Sequence, residues 1–360
     1  MRAVQFIKEY DDLSKEKENI IRTISGLDAG DEQQAAMLDR IWKLLNSSDF
    51  NSKIESAFAT TTADEYMNPQ TLEVHRRNVA EIISRLDSDY TAMNSFLKKL
   101  EGGGAINISE LAKPVNSFNA VFEGDPVAIK AFHALKGYGV GEKQKGPGEF
   151  ALAMLSNKIR LAQGEGDTEI DGIGKVEVKA AMGSKGSGGR LGHGGASQEN
   201  QMNTLLKYEQ YLPNLVASIQ AKAGGTVGIG PFIDAMNAEL PTSDANNVKL
   251  RKQIAMDIFK PNFGDQYGGA MANAFGSENR EEIENNFVKQ NFEWYKARDN
   301  FDAYLLVSFT RGKTGLGRTG DDIIKMKQAG HLGSFAVSII PSKSAPREQF
   351  AQITVNAMGV

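Results

Sequence analysis

The sequence contains no cysteine. This absence excludes disulfide bonds, a thiolate nucleophile, and zinc or iron–sulfur sites built from cysteine. Long apolar stretches are also missing: no run in the sequence reaches the roughly 18 apolar residues of a membrane-spanning helix, so we expect no membrane partner. The first ten residues soon become charged and contain no apolar core of a signal peptide. We therefore expect a cytoplasmic protein.

An excess of basic charge is missing too. The formal net charge is −4, which argues against a protein that coats nucleic acid with its whole surface. Two local islands have more basic than acidic residues, one from Lys175 to Arg190 and one from Arg311 to Arg318. Such islands on an acidic protein are typical of local sites that contact phosphate. Scattered, solvated loop charges are the alternative interpretation.

The length of 360 residues exceeds one typical domain. Apolar residues recur at helical spacing over the first hundred residues. The segment Glu101–Ala105 contains three glycines and is the best linker candidate. We therefore expect a helical docking region over residues 1–104 and a second domain over residues 105–360. The helical region would bind DNA, a second copy of the chain or a larger particle.

Further along the chain, helical and strand patterns alternate. We expect the helix that begins near Glu149 to continue through Ile159 and Leu161, which would supply core-facing positions. The mixture predicts an α+β or α/β fold. The other expected elements are helices over 31–45, 68–86, 88–100, 126–135, 197–222, 232–240, 246–258 and 278–298, and strands over 303–309, 335–340 and 352–356. We expect the helix over 197–222 to be interrupted or to end near Pro213.

The segment Gly166–Lys179 is typical of a β-hairpin with a tight Asp-Gly turn. Its second strand alternates apolar and charged residues, so Glu177 and Lys179 project from the same face. If the turn is three residues long, Asp167 lies directly opposite Glu177. Two carboxylates and a lysine would then converge, which is a chemistry that holds a divalent metal and activates water. The alternative is an exposed hairpin whose charged residues pair across the strands.

Asp167, followed ten residues later by Glu177-Val178-Lys179, resembles the motif of the PD-(D/E)xK nuclease superfamily. The segment Lys145–Leu155 is similar to the helix that supplies a further acidic residue in that superfamily, and Ala180–Leu191 is similar to its glycine-rich segment. The resemblance covers about fifty residues and departs from the pattern in having no proline before Asp167. It implies a restriction-endonuclease-like mixed β-sheet core flanked by helices.

The resemblance also implies roles for individual residues. Asp167, Glu177, Lys179 and Glu149 would be catalytic. Asp167, Glu177, Glu149 and the carbonyl of Val178 would hold Mg²⁺ or Mn²⁺, which prefer oxygen ligands. Lys179 would orient or help to deprotonate the attacking water and place a positive charge beside the scissile phosphate. Glu149 has an alternative role, because its charge suits the dipole at the start of a helix.

DNA would be contacted by the basic islands and by the glycine-rich segment between residues 183 and 195. The candidate DNA-binding residues are Lys185, Arg190, His193, Arg311, Lys313 and Arg318. We expect no nucleotide cofactor, because Gly312-Lys313-Thr314 lacks the upstream glycine of a phosphate-binding loop.

The function expected from the sequence is therefore a metal-dependent DNA endonuclease that hydrolyses phosphodiester bonds through a metal-activated water. The first alternative is a structural or interaction protein that keeps the nuclease fold without its reaction, for example a virion component encoded by a phage. The second is a helical DNA-binding protein without catalysis, which would need a stronger basic face. Fold alone does not decide between these classes.

Overall fold

Two compact units make up the chain. The first comprises Met1–Ala112 with Asn116–Val178, and the second comprises Lys113–Val115 with Lys179–Val360. The computed structural model describes residues 32–58, 69–140, 145–162, 165–181, 190–191, 204–221, 227–331, 335–337 and 352–354.

The first unit is mostly helical and ends in three short antiparallel strands. In chain order its elements are α1 (Glu32–Leu45), α2 (Ser48–Phe58), α3 (Pro69–Ser84), α4 (Tyr90–Glu101), α5 (Ile108–Leu111), β1 (Asn116–Ser117), α6 (Phe118–Val121), α7 (Pro126–Leu135), α8 (Glu149–Met154), β2 (Ile159–Leu161), β3 (Thr168–Ile170) and β4 (Gly174–Ala181), the last of which continues past the unit boundary.

Capping residues explain where the helices of the first unit begin. Asp89 accepts hydrogen bonds from the N–H groups of Thr91 and Ala92 and caps α4. Asp125 caps α7 in the same way, and Pro126 occupies the first turn, where its missing N–H costs nothing. Buried side chains recur along α1 at helical spacing and pack against α4. The helices expected over 31–45, 68–86, 88–100 and 126–135 are confirmed.

The glycine triplet after α4 does not act as an open connection. The N–H of Gly104 donates to Lys99 O, and Ala105 N donates to Leu155 O. Gly104 also forms an isolated antiparallel bridge with Ser156. The boundary expected after Gly104 therefore lies inside the first unit, where the backbone on both sides of it is hydrogen-bonded.

The helix that begins at Glu149 is shorter than expected. It ends at Met154, and Ile159 and Leu161 belong to strand β2 instead. In β2 these two side chains are buried while Arg160 between them is exposed, which is the alternation of a strand. The expectation of helical core positions at Ile159 and Leu161 was wrong, because apolar residues two positions apart fit a strand better than a helix.

The second unit combines long helices with antiparallel strands. Its elements are β5 (Arg190–Leu191), α9 (Pro213–Ala221), β6 (Val227–Gly228), α10 (Ile229–Glu239), α11 (Ala245–Ala274), α12 (Arg280–Asp299), β7 (Ala303–Ser308), β8 (Lys313–Gly317), α13 (Gly320–Gln328), β9 (Phe335–Val337) and β10 (Gln352–Thr354). The strands β5, β10, β9 and β6 form one antiparallel sheet in that order. Strands β7 and β8 form a hairpin in which Ser308 pairs with Lys313.

Several expectations for the second unit are confirmed and others are wrong. The helix over 278–298 and the strand over 303–309 exist nearly as expected. The helix expected over 197–222 is interrupted, as expected, near Pro213: residues 204–206 are helical, and α9 begins at Pro213, a residue that helices accept in their first turn but not in their interior. Residues 197–203 lie outside the described residues. Helix α11 runs far beyond Ile258, with a break at Gly264. Together the two units confirm a mixed α+β protein.

The buried side chain of Arg251 joins two helix ends in the second unit. It is fully buried on α11, and its guanidinium uses all five N–H donors. The acceptors are Phe275 O, Met236 O, Leu240 O, Asn237 Oδ1 and Ser277 O, at 2.7–3.0 Å. Most of these oxygens follow or terminate α10 and α11, where backbone carbonyls lack helical partners and the helix dipole is negative.

We expect Arg251→Met to lower the free energy of unfolding by more than about 3 kcal/mol, because each buried carbonyl left without a donor costs roughly 1–3 kcal/mol. The measurement is the urea midpoint. The control is Arg280→Met, which removes exposed ion pairs to Asp234 and Glu284 worth about 0–1 kcal/mol. Similar shifts in both variants would contradict a special role for Arg251.

Candidate functional site

The hairpin formed by β3 and β4 has the turn length that the sequence indicated. Its register pairs Thr168 with Val176 and Ile170 with Gly174, which leaves a three-residue turn. The N–H of Ile173 donates to Ile170 O at 2.9 Å. Gly172 has φ 75°, a conformation that glycine adopts without steric cost.

The regular pairing ends at Thr168 and Val176, and Asp167 does not continue it to Glu177 as expected, because its N–H donates to Val176 O instead. Asp167 lies just before β3, and its backbone contacts both neighbouring strands. Its N–H donates to Val176 O at 3.0 Å, and its carbonyl accepts from Ala162 N at 3.1 Å. The main chain on both sides of the hairpin therefore fixes the position of Asp167.

The carboxylate of Asp167 ends the ladder between β3 and β4. Its Oδ2 accepts a hydrogen bond from the N–H of Val178 at 2.8 Å. In an antiparallel sheet, the two residues of a hydrogen-bonded pair each donate their N–H to the other's carbonyl oxygen. The N–H and C=O of one residue therefore point toward the same neighbouring strand. The carbonyl of Val178 consequently lies on the Asp167 side of β4.

Strand β4 separates apolar and charged side chains as expected. Val176, Val178 and Ala180 are buried, whereas Glu177 and Lys179 are half-buried on the opposite face. Residues two apart on a strand are about 7 Å apart. The structure thus brings Glu177 and Lys179 to one face, and Asp167 lies beside that pair on the neighbouring segment.

Glu149 is the first residue of α8, and its side chain is buried. Its Oε1 accepts from Gly146 N at 2.7 Å. A carboxylate in the first turn of a helix is favoured by the helix dipole. The expected place of Glu149 in the first turn is confirmed, and its hydrogen bond to Gly146 fits the structural alternative. Its role toward a metal stays a prediction.

Two exposed ion pairs flank the hairpin. Lys175 contacts Glu165 at 2.6 Å, and Arg160 contacts Asp171 at 2.7 Å. All four side chains are largely exposed, so these pairs contribute little to stability. Asp171 lies in the turn, away from Asp167, whereas Glu165 precedes Asp167 by two residues.

The donor set for a metal is smaller than the resemblance implied. In the described ranges, no three side chains among His, Asp and Glu are grouped so as to hold a metal ion. What remains at the hairpin is the pair Asp167 and Glu177 with the carbonyl of Val178. Mg²⁺ commonly takes one or two carboxylates and keeps several waters, so this oxygen-only set fits Mg²⁺ or Mn²⁺ better than a softer metal.

The candidate DNA-binding residues fall into separate groups. Lys185 and His193 lie outside the described residues, and Arg190 lies in β5. Arg311 and Lys313 line one small cavity at the turn of the β7–β8 hairpin. Arg318 follows the other end of β8, roughly 15 Å further along the strand, so the second basic island is divided.

The sequence interpretation missed two residues of that cavity, Ser308 and His331. His331 is one of four histidines in the chain, and no motif marks it. The one sequence feature that could have indicated the cavity is Gly312 between Arg311 and Lys313. This feature is not specific, because it is typical of a hairpin turn as well as of a basic loop.

Comparison of the chain with family models, with curated proteins and with solved structures finds no match. Among the helices that the structure describes, none combines the length and the apolar character needed to cross a bilayer.

We expect Asp167→Ala to lower the free energy of unfolding by about 1–3 kcal/mol, because the N–H of Val178 loses a charged acceptor. Asp167→Asn keeps an oxygen at the same place and should lose less. Urea unfolding measures the stability, and hydrogen exchange of the Val178 amide measures the contact itself. Unchanged exchange in Asp167→Ala would show that this hydrogen bond does not hold the end of the ladder.

Proposed function

We propose that this chain is a metal-dependent DNA endonuclease of the PD-(D/E)xK kind, which hydrolyses phosphodiester bonds. The observation that carries the proposal is the position of Asp167 beside β4, because its carboxylate accepts a hydrogen bond from Val178 N. Glu177 and Lys179 flank Val178 in the sequence and share one face of the strand. The oxygen-only donor set and its neighbouring lysine are the residue types that this reaction needs.

The ligands would be the carboxylates of Asp167 and Glu177 and the carbonyl of Val178. A bound Mg²⁺ or Mn²⁺ supplies Lewis-acid chemistry, because it lowers the pKa of water and shields charge on the phosphoryl group. Asp167 is restrained for this task by the hydrogen bond from Val178 N.

Lys179 contributes a positive charge on the open face of β4. Its half-buried position limits solvent screening, which strengthens its attraction for the negative charge that develops at phosphorus. Its ammonium group also donates hydrogen bonds that orient a water beside the scissile phosphate. Glu149 would support the site from the start of α8 or reach the cation through water.

The arrangement of elements gives the proposal further support. Helix α8 directly precedes the antiparallel strands β2, β3 and β4. This is the order that a restriction-endonuclease-like core would have around its motif. In the same proposal the helices α1 to α4 form a docking region for DNA, for a second copy or for a larger particle.

A non-catalytic structural or interaction protein is the second candidate function. The observation that favours it is the hydrogen bond from Val178 N to Asp167, which gives that carboxylate a role in the fold. The buried position of Glu149 and its bond to Gly146 point the same way. In that case the charged face of β4 would bind no metal.

We expect the purified full chain to nick supercoiled plasmid with Mg²⁺ or Mn²⁺ and not with EDTA. Glu177→Gln and Lys179→Met should each lower the rate by at least about 100-fold, because a positioned acid–base or charged group contributes roughly 10²–10⁴. Asp167→Asn should also lose activity while keeping most of its stability, which separates catalysis from folding.

The matched controls are Glu169→Gln and Arg160→Met, which change an exposed Glu and an exposed Arg that are directly paired across β2 and β3. Both variants should cleave at the rate of the unmodified chain. Absence of cleavage with either metal would overturn the nuclease and favour the structural candidate. Equal loss in the control and site variants would overturn the assignment of the site.

A further inference from the structure

A second polar cluster lies within the second unit, where the turn of the β7–β8 hairpin meets the segment after α13. It surrounds a cavity of about 10 Å³. A cavity of that size holds about one water-sized particle. The lining residues are Ser308, Arg311, Lys313, Ala329, Gly330 and His331.

Two polar atoms in this lining have no partner among the described residues. They are Oγ of Ser308 and Nε2 of His331, and each side chain is only 5% exposed. Buried polar side-chain atoms nearly always have a hydrogen-bond partner. Two such atoms at one cavity therefore indicate a ligand or an ordered water between them.

The local fold holds these groups in place. Ser308 and Lys313 are directly paired across β7 and β8, so their side chains share one face of the hairpin. Beyond α13, Gly330 N donates to Lys327 O and His331 N donates to Met326 O. These bonds fix the backbone of His331 over the end of the helix.

The charge around the cavity is positive. Neither Arg311 nor Lys313 forms an ion pair with an acidic residue in the part of the chain that the structure describes. Burial lowers the pKa of His331, the nearby charges of Lys313 and Arg311 lower it further, and hydrogen bonds to the backbone of Ala329 and Thr314 act in the opposite direction. The pKa of the imidazole is thus held below its usual value beside two cations.

We propose that this cluster binds a phosphate group, with one oxygen in the cavity between Ser308 and His331 and the other oxygens toward Arg311 and Lys313. The cavity is too small for a whole phosphate but suits a single oxygen. Arginine and lysine supply the donors that phosphate oxygens prefer. The shared chemistry is that of a free phosphate ion or of a phosphodiester in a nucleic-acid backbone, and the site does not rest on cleavage at the β3–β4 hairpin.

Binding at this site takes up a proton. The neutral Nε2 atom is an acceptor and cannot donate to an anionic oxygen, whereas the protonated ring donates. The bound anion therefore raises the pKa of His331 above its lowered value in the unbound protein. Affinity is greatest below the unbound pKa of His331 and falls as pH rises through its bound pKa.

The test is a titration of the full chain with inorganic phosphate in EDTA, followed by the imidazole resonances of its four histidines. We expect phosphate to shift the His331 resonance selectively, to raise the pKa of His331, and to bind more tightly at lower pH. Lys313→Met keeps His331 as the reporter and should weaken phosphate binding by about tenfold or more. The control is Lys325→Met on α13, an exposed lysine outside the cavity, which should bind as the unmodified chain does.

A short oligonucleotide without terminal phosphate distinguishes the two sources of the ligand. If it shifts His331 and competes with phosphate, the ligand is a nucleic-acid backbone; if phosphate alone acts, the ligand is a free phosphate. An unchanged His331 resonance with both ligands would overturn the site, as would equal weakening by Lys325→Met and Lys313→Met. Because no metal is present, these results are independent of the proposed nuclease reaction.

Discussion

The guanidinium of Arg251 carries a full positive charge inside the second unit without a buried carboxylate beside it. Carbonyl and amide oxygens surround it instead, and four of the five are backbone atoms at the ends of α10 and α11. The same region packs the aromatic rings of Phe232, Phe259 and Phe275 against one another. One hydrogen-bonded side chain thus lets two helix ends lie in an apolar core, where unsatisfied carbonyls would oppose folding.

The backbone also determines the arrangement of the candidate catalytic groups. Asp167 is fixed by main-chain bonds to two strands and by the bond from Val178 N, while Glu177 and Lys179 follow from the alternation of β4. The cluster at His331 is built differently, from a hairpin turn and a segment that follows a helix. In the two proposals, the first group would offer oxygens to a cation, and the second would offer donors to an anion.

Sequence patterns correctly predicted the turns, strand faces and helix starts that depend on residues close together in the chain. The turn at Gly172, the faces of β4 and the capped start of α7 follow from short-range preferences, and the structure agrees with each. Strand β8 was missed, because Gly315 and Gly317 are unusual inside a strand. A side chain at these glycines would collide with Pro114 O or with Ile323 of α13, so tertiary packing demands them. Arg251 and His331 were missed for a related reason, since backbone atoms from distant segments make up much of their surroundings.

The length of the turn Asp171–Ile173 sets which residues of β3 and β4 are paired. Its residues are exposed or half-exposed, and none of them belongs to the proposed site. One inserted residue would nevertheless slip the pairing by one position and exchange the two faces of the following strand. Val176 and Val178 would then face solvent, and two charged side chains would face the apolar interior. The fold therefore constrains the number of residues in this turn as well as the glycine at position 172, and insertions should be tolerated elsewhere on the surface before they are tolerated there.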